Sequence, residues 1–132
     1  KDGEGATKVL RITVTGADSD RDAEQVARTV GNSQLVKTAM YGMDANWGRI
    51  IAAVGRAGVP MKPEDVSVSL CGAELFRNGQ PLGGDFDAAL EAPLKERLIP
   101  VDISVGVGPG TFTLETADLS VGYVKLNSDY RS

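Results

Sequence analysis

The chain has 132 residues, enough for one hydrophobic core without disulfides or metals, and it reads as one domain. Apolar residues make up 42%, charged residues 24% and the net charge is −4, so no basic stripe points to nucleic acid. No apolar run approaches the ~20 residues of a membrane span, and no secretory leader pattern opens the sequence.

Histidine is absent and Cys71 is the single cysteine, which removes Ser-His-Asp and Cys-His nucleophiles, excludes an internal disulfide and disfavours zinc. Any chemistry must use carboxylates, hydroxyls, amides, backbone groups or a partner chain. The lone thiol suits a reducing compartment, and a cytoplasmic location is expected. Opening on Lys1 and a polar, glycine-rich stretch, the sequence reads as the middle of a longer polypeptide, a processing product or a fragment.

Leu10, Ile12 and Val14 alternate with polar residues and predict a half-buried strand ended by Gly16. Ser19 or Asp20 caps a helix whose face carries Ala23, Val26, Ala27 and Val30, closed by Gly31-Asn32. Residues 33–42 fit a short helix or a strand equally. A second helix starts between Asp44 and Asn46, carries Trp47, Ile50, Ile51 and Val54, and stops at Gly58-Val59-Pro60.

Val66, Val68 and Leu70 then predict a strand, Gly72 a bend, Glu74 to Arg77 another strand, and Asn78-Gly79-Gln80-Pro81 a turn. Asp85 caps a third, short helix with Phe86, Ala89 and Leu90, which Pro93 ends or kinks. Ile99 to Val107 is the clearest strand, Gly106 to Gly110 a turn, and Thr111 to Leu119 its expected hairpin partner. A last strand is expected in Tyr123 to Ser132. The predicted class is α+β, a mixed or antiparallel sheet with about three helices packed on it.

Asp18, Asp20, Asp22 and Glu24 resemble an acidic cluster, but they have no EF-hand spacing and suit a helix N-terminus. Gly106 to Gly110 lacks the lysine and hydroxyl of a phosphate loop and reads as a turn between strands. Cys71 has no histidine to activate it, and Trp47 belongs to an apolar face; both read as structural. In Asp2-Gly3-Glu4-Gly5-Ala6-Thr7-Lys8 two glycines bracket a carboxylate. That pattern fits a flexible end, or a backbone that approaches a ligand closely while presenting Glu4. By pattern alone the polar end, Asn127 to Ser132, is a frayed terminus.

The same stretches carry a resemblance. Residues 2–8 are similar to the DGEGATK motif of the ornithine acetyltransferase family, the bifunctional glutamate N-acetyltransferases. Lys37-Thr38-Ala39, Gly42, Asp44-Ala45-Asn46-Trp47-Gly48-Arg49-Ile50, Ala52-Ala53, Gly55 and Gly58 resemble its KTAxxGxDPNWGRIxAAxGxSG signature. Arg77-Asn78-Gly79 matches its RNG turn, and Asn127 to Ser132 its NADYRT ending. The matches are collinear over the whole chain. Departures are Ala45 for proline, Ala57 for serine, Glu115-Thr116-Ala117-Asp118-Leu119 where the family commonly reads WGCDL, and Ser132 for the last threonine.

The resemblance implies a precursor that cuts itself before a threonine, which becomes the nucleophile of the β chain. That threonine accepts acetyl from N-acetylornithine and passes it to glutamate. The chain corresponds to the carboxy-terminal part of the β chain, without the nucleophile and without a catalytic residue of its own. Substrate binding maps onto Glu4, Asn127 and Ser132. Residues 1–8 would belong with the active site and 9–132 would form the α+β domain. The implied partners are the α chain and the rest of the β chain, in a hetero-tetramer or larger assembly, and no cofactor is called for. In primary metabolism the pathway is arginine biosynthesis; a secondary-metabolism paralogue fits the same motifs. The competing expectations are a structural, oligomer-building module and a relative of the processed amidohydrolases with the same threonine chemistry.

Overall fold

The computed structural model describes residues 8–118. Strand β1 (Lys8–Gly16) is followed by three helices, α1 (Asp20–Gly31), α2 (Gln34–Tyr41) and α3 (Trp47–Gly55). After a 3-10 turn at Pro63–Asp65 come β2 (Ser67–Leu70), β3 (Ala73–Arg77) and the two-residue β4 (Gln80–Pro81). Helix α4 (Phe86–Lys95), β5 (Leu98–Ser104) and β6 (Gly108–Asp118) complete the described chain. The fold is α+β, as the element pattern predicts. Within residues 33–42 the chain forms helix α2, so the described residues hold four α-helices where about three were expected. The last strand expected in Tyr123 to Ser132 lies outside the described residues.

Among the described residues, six strands form one mixed sheet in the order β4-β3-β2-β5-β1-β6. β1 and β5 run parallel; every other neighbouring pair is antiparallel. The period-two pattern sets the faces. Leu10, Ile12, Val14, Val68, Leu70, Ile99, Val101 and Ile103 are buried beneath the helices. Arg11, Thr13, Thr15, Ser67, Ser69, Asp102 and Ser104 lie on the opposite, polar face. Across that face Arg11 Nε donates to Glu115 of its register partner at 2.7 Å, and the hydroxyls of Thr13 and Thr113 lie 3.3 Å apart.

Each helix begins on a side-chain cap: Ser19 on α1, Ser33 on α2, Asn46 on α3 and Asp85 on α4, each accepting from the backbone N–H three residues on. Asp20 and Asp22 occupy the first turn of α1, which is where the macrodipole favours them. The Asp20 carboxylate also accepts from the Thr111 N–H at 2.9 Å. Gly31 keeps a helical backbone and does not act as a left-handed cap. It is small because a Cβ there would stand 2.8 Å from Leu114 of β6. In α4 the buried face is Leu90 and Leu94 with Phe86 beside them, and Ala89 is exposed. Pro93 lies within the helix, which continues only to Lys95.

One expectation is overturned. β6 is not the hairpin partner of β5. Both pair with β1, on opposite sides, so residues 105–110 must pass over its end. Val105 donates to the Thr15 carbonyl at 3.0 Å and Gly110 to the Ala17 carbonyl at 2.8 Å. Added Cβ atoms at Gly106, Gly108 and Gly110 would strike the backbone of Gly16, Ala17 and Ser19. The glycines are there because two backbones cross closely. Val107, expected in the strand, protrudes fully exposed from this crossing.

Candidate functional site

Glu4, Asn127 and Ser132, the substrate-binding residues that the family motifs imply, lie outside the described residues. The described chain begins at Lys8 and ends at Asp118. Lys8 and Asp118 are register partners in the antiparallel pair of β1 and β6. The starts of β1 and β5 and the ends of β2 and β6 therefore share one rim of the sheet. The end of α4 and the Cys71-Gly72 turn complete that rim.

Lys8 organises it. Its ammonium donates to the carbonyls of Leu94 at 2.7 Å and Glu96 at 3.0 Å. Leu94 lies in the last turn of α4, whose carbonyls no further helical N–H can satisfy, and Glu96 is the extended residue that follows the helix. The Val9 N–H donates to the Arg97 carbonyl at 2.8 Å, and the Cys71 N–H to Pro100 at 2.8 Å. Burial pushes the Cys71 thiol up from its ordinary value, and the positive charge of Lys8 partly opposes the shift. Sequence reading places Lys8 only as the last letter of a motif. Its role as a cap on a helix far along the chain has no local signal.

The Asn46-Trp47-Gly48-Arg49 segment is structural in its geometry. Asn46 caps α3, and Arg49 reaches back to the Leu35 carbonyl of α2 at 3.1 Å. The Trp47 ring lies 5.3 Å from that of Phe76 on β3 and is half-buried, not fully enclosed as its place on the apolar stripe suggests. The Gln25 side chain of α1 donates to the Ala57 carbonyl just beyond α3, so the position where the family has serine serves through its backbone.

A cleft of about 570 Å³ opens between the loop after α2 and α4, lined by Met43, Asp44, Asp85, Asp87 and Glu91 among others. Two of its carboxylates are committed: Asp85 to the cap of α4 and Glu91 to Lys95 at 3.6 Å. Met43 holds a left-handed φ of 60°, with its N–H on Met40 and that of Asp44 on Ala39. This is the Schellman closure of α2 with methionine where glycine is usual. Among the described residues, no group of three or more cysteines or carboxylates is placed to hold a metal. No helix among them is long and apolar enough to cross a membrane.

An α+β domain with this sheet is found in the crystal structure of arginine biosynthesis bifunctional protein ArgJ from Bacillus halodurans. The two superpose with a TM-score of 0.83 at 38% identity, over 98% of this chain and 61% of that one. The ArgJ family model matches residues 1–132. The arginine biosynthesis bifunctional protein ArgJ of Nitratidesulfovibrio vulgaris is 64% identical over 132 residues, all of this chain and 34% of its own length. That of Desulfotalea psychrophila is 52% identical over 131 residues, 99% of this chain and 33% of its own. The chain belongs to the ArgJ family, and it spans about a third of the length of these curated relatives.

Proposed function

We propose that this chain is part of an ornithine acetyltransferase of arginine biosynthesis, and that it supplies substrate-binding residues but not the nucleophile. A threonine outside these residues attacks the acetyl carbonyl of N-acetylornithine. The C–N bond breaks, ornithine leaves with the proton, and an acetyl ester remains. The amine of glutamate then attacks the ester and releases the threonine hydroxyl. Glu4 pairs with a substrate ammonium or relays a proton; Asn127 offers a donor and an acceptor to a carboxylate or amide; Ser132 offers a hydroxyl. Residues 1–8 belong with the active site and 9–132 form the domain that carries them. The partners are the α chain and the rest of the β chain, in a hetero-tetramer or larger cytoplasmic assembly.

The observation that carries this reading is the family match along all of residues 1–132, with 64% identity to a bifunctional arginine-biosynthesis protein. Glu4 precedes Lys8 by four positions, a reach of at most ~14 Å. The direct pairing of Lys8 with Asp118 brings the approaches to both motif ends within about 5 Å of each other.

The test is Glu4→Gln in the assembled full-length protein. Assembly and self-cleavage should survive while acetyl transfer falls at least about tenfold. Wild-type turnover and affinity in that variant would refute the role of Glu4. A wild-type assembly that moves no acetyl from N-acetylornithine to glutamate would refute the reaction itself.

A further inference from the structure

The two edges of the sheet are built in opposite ways. At one edge β4 is two residues long and ends on Pro81, and a short strand with a proline discourages further pairing. At the other, β6 runs for 11 residues and, among the described residues, has a neighbour on one side only. Its proline, Pro109, stands near the start, it carries no lysine or arginine, and Glu115 is tied back to Arg11 of β1 at 2.7 Å. None of the usual devices that blunt an edge lies along residues 111–117. We propose that the outer edge of β6 is an interaction surface for a second copy of this chain, whose own β6 pairs with it antiparallel about a two-fold axis at Leu114.

Alternation along the strand decides which groups face outwards. The Gly110 N–H donates to Ala17 at the end of β1, whereas the Thr111 N–H turns away and donates to Asp20. Thr113 and Glu115 meet Thr13 and Arg11 side chain to side chain, as residues of the closer, non-hydrogen-bonded pairs do. The N–H and C=O groups of residues 113, 115 and 117 therefore point away from β1. On the helix side of the same strand Phe112 and Leu114 are half-buried. Helix α1 covers them from one flank, with Arg28 over the Phe112 ring at 5.7 Å and Gly31 beside Leu114.

The pattern of β6 is complementary to itself in one register. About an axis at Leu114 the two leucines stand opposite each other, and Thr113 stands opposite Glu115 of the second copy. The outward groups of residues 111 to 117 then form about six hydrogen bonds between the copies, and the Thr111 N–H keeps its bond to Asp20. An axis at Thr113 would demand that same N–H for Glu115. An axis at Glu115 would set two carboxylates face to face. With the axis at Leu114 no like charges oppose, and the apolar side of one sheet continues into that of the other. Two-fold pairing is the commonest closed arrangement of identical chains. The inference uses none of Glu4, Asn127 or Ser132 and stands apart from the acetyl-transfer reading.

The experiment is disulfide trapping in the assembled full-length protein. Opposed residues of a non-hydrogen-bonded pair have Cα atoms about 4.5 Å apart, within disulfide range. Leu114→Cys should therefore give, on mild oxidation, a peptide cross-linked between two copies through position 114. Thr113→Cys, set two residues away from its counterpart, should link at least about tenfold less. Leu114→Lys places like charges face to face and should raise the concentration at which the copies dissociate about tenfold, read by sedimentation.

No link through position 114, equal linking through position 113, or a dissociation unmoved by Leu114→Lys overturns the proposal. Protection of the amides at 113, 115 and 117 from deuterium exchange that survives Leu114→Lys also overturns it, as the mark of an edge filled by the same polypeptide. Should Leu114→Cys fail to fold, Thr113→Cys combined with Glu115→Cys replaces it. A link between position 113 of one copy and 115 of the other then supports the interface, and its absence overturns it.

Discussion

Cys71 and Asn78 occupy the same place in two hairpins that share one backbone shape. Asn78-Gly79 has φ values of 50° and 80°, and Cys71-Gly72 has 52° and 83°. Both are two-residue turns of the primed type that matches strand twist. Asparagine tolerates the left-handed region, whereas cysteine carries a cost of about 1 kcal/mol there. Cys71→Asn should therefore raise stability by about 0.5 kcal/mol, read as a higher urea midpoint. A lower midpoint would mean that packing of the half-buried thiol outweighs the strain. The thiol also has a pH signature. Its folded-state pKa lies above the unfolded value. Its contribution to stability is thus complete below the unfolded pKa and is lost as pH rises through the folded one. The Cys71→Asn protein should lose that alkaline decline.

At the scale of elements, the crossing between β5 and β6 decides the topology. Gly110 is buried, its N–H donates to Ala17, and a Cβ would overlap the Ser19 backbone. Neither strand nor helix α1 can yield, because the Thr111 N–H is also fastened to Asp20 at the helix start. Gly110→Ala is expected to cost about 3 kcal/mol or more. Gly55→Ala, at the open end of α3 with nothing within 4 Å of the new methyl, should be neutral or stabilising by about 0.5 kcal/mol. Thermal unfolding of the pair checks the contrast; equal melting temperatures would mean that the crossing relaxes freely. The segment was legible as glycine-rich and turning, but not as a crossing. A hairpin and a passage over a third strand need the same local flexibility.

For the whole molecule, the described residues bring one rim together and place no nucleophile–base pair there. On the proposed function the nucleophile lies outside this sequence, which also has no histidine, so the 132 residues by themselves are expected to transfer no acetyl from N-acetylornithine to glutamate. Measurable transfer by the isolated chain would sink this. In an assembly with the remaining chains, deletion of Ser128 to Ser132 should leave self-cleavage nearly intact and raise substrate KM or abolish transfer. Kinetics unaltered for both substrates would return the tail to the status of a frayed end.

Periodicity alone determined most of the elements and the sheet's buried face, because alternation in β1 and β5 and the 3.6-residue stripes of α1 and α3 are local consequences of backbone geometry. The caps at Ser19, Asn46 and Asp85 and the Asn78-Gly79 turn were legible for the same reason: each acts within three residues. The motifs at residues 2–8 and 37–58 carried the family. Tertiary structure alone decided that residues 33–42 are helical, for Val36, Ala39 and Met40 bury as a helix face against the core. It also decided that β1 lies between β5 and β6, and that Lys8 caps α4. Strand order and a contact spanning 86 positions depend on which surfaces meet when the whole sheet closes, and no local window of the sequence contains both partners.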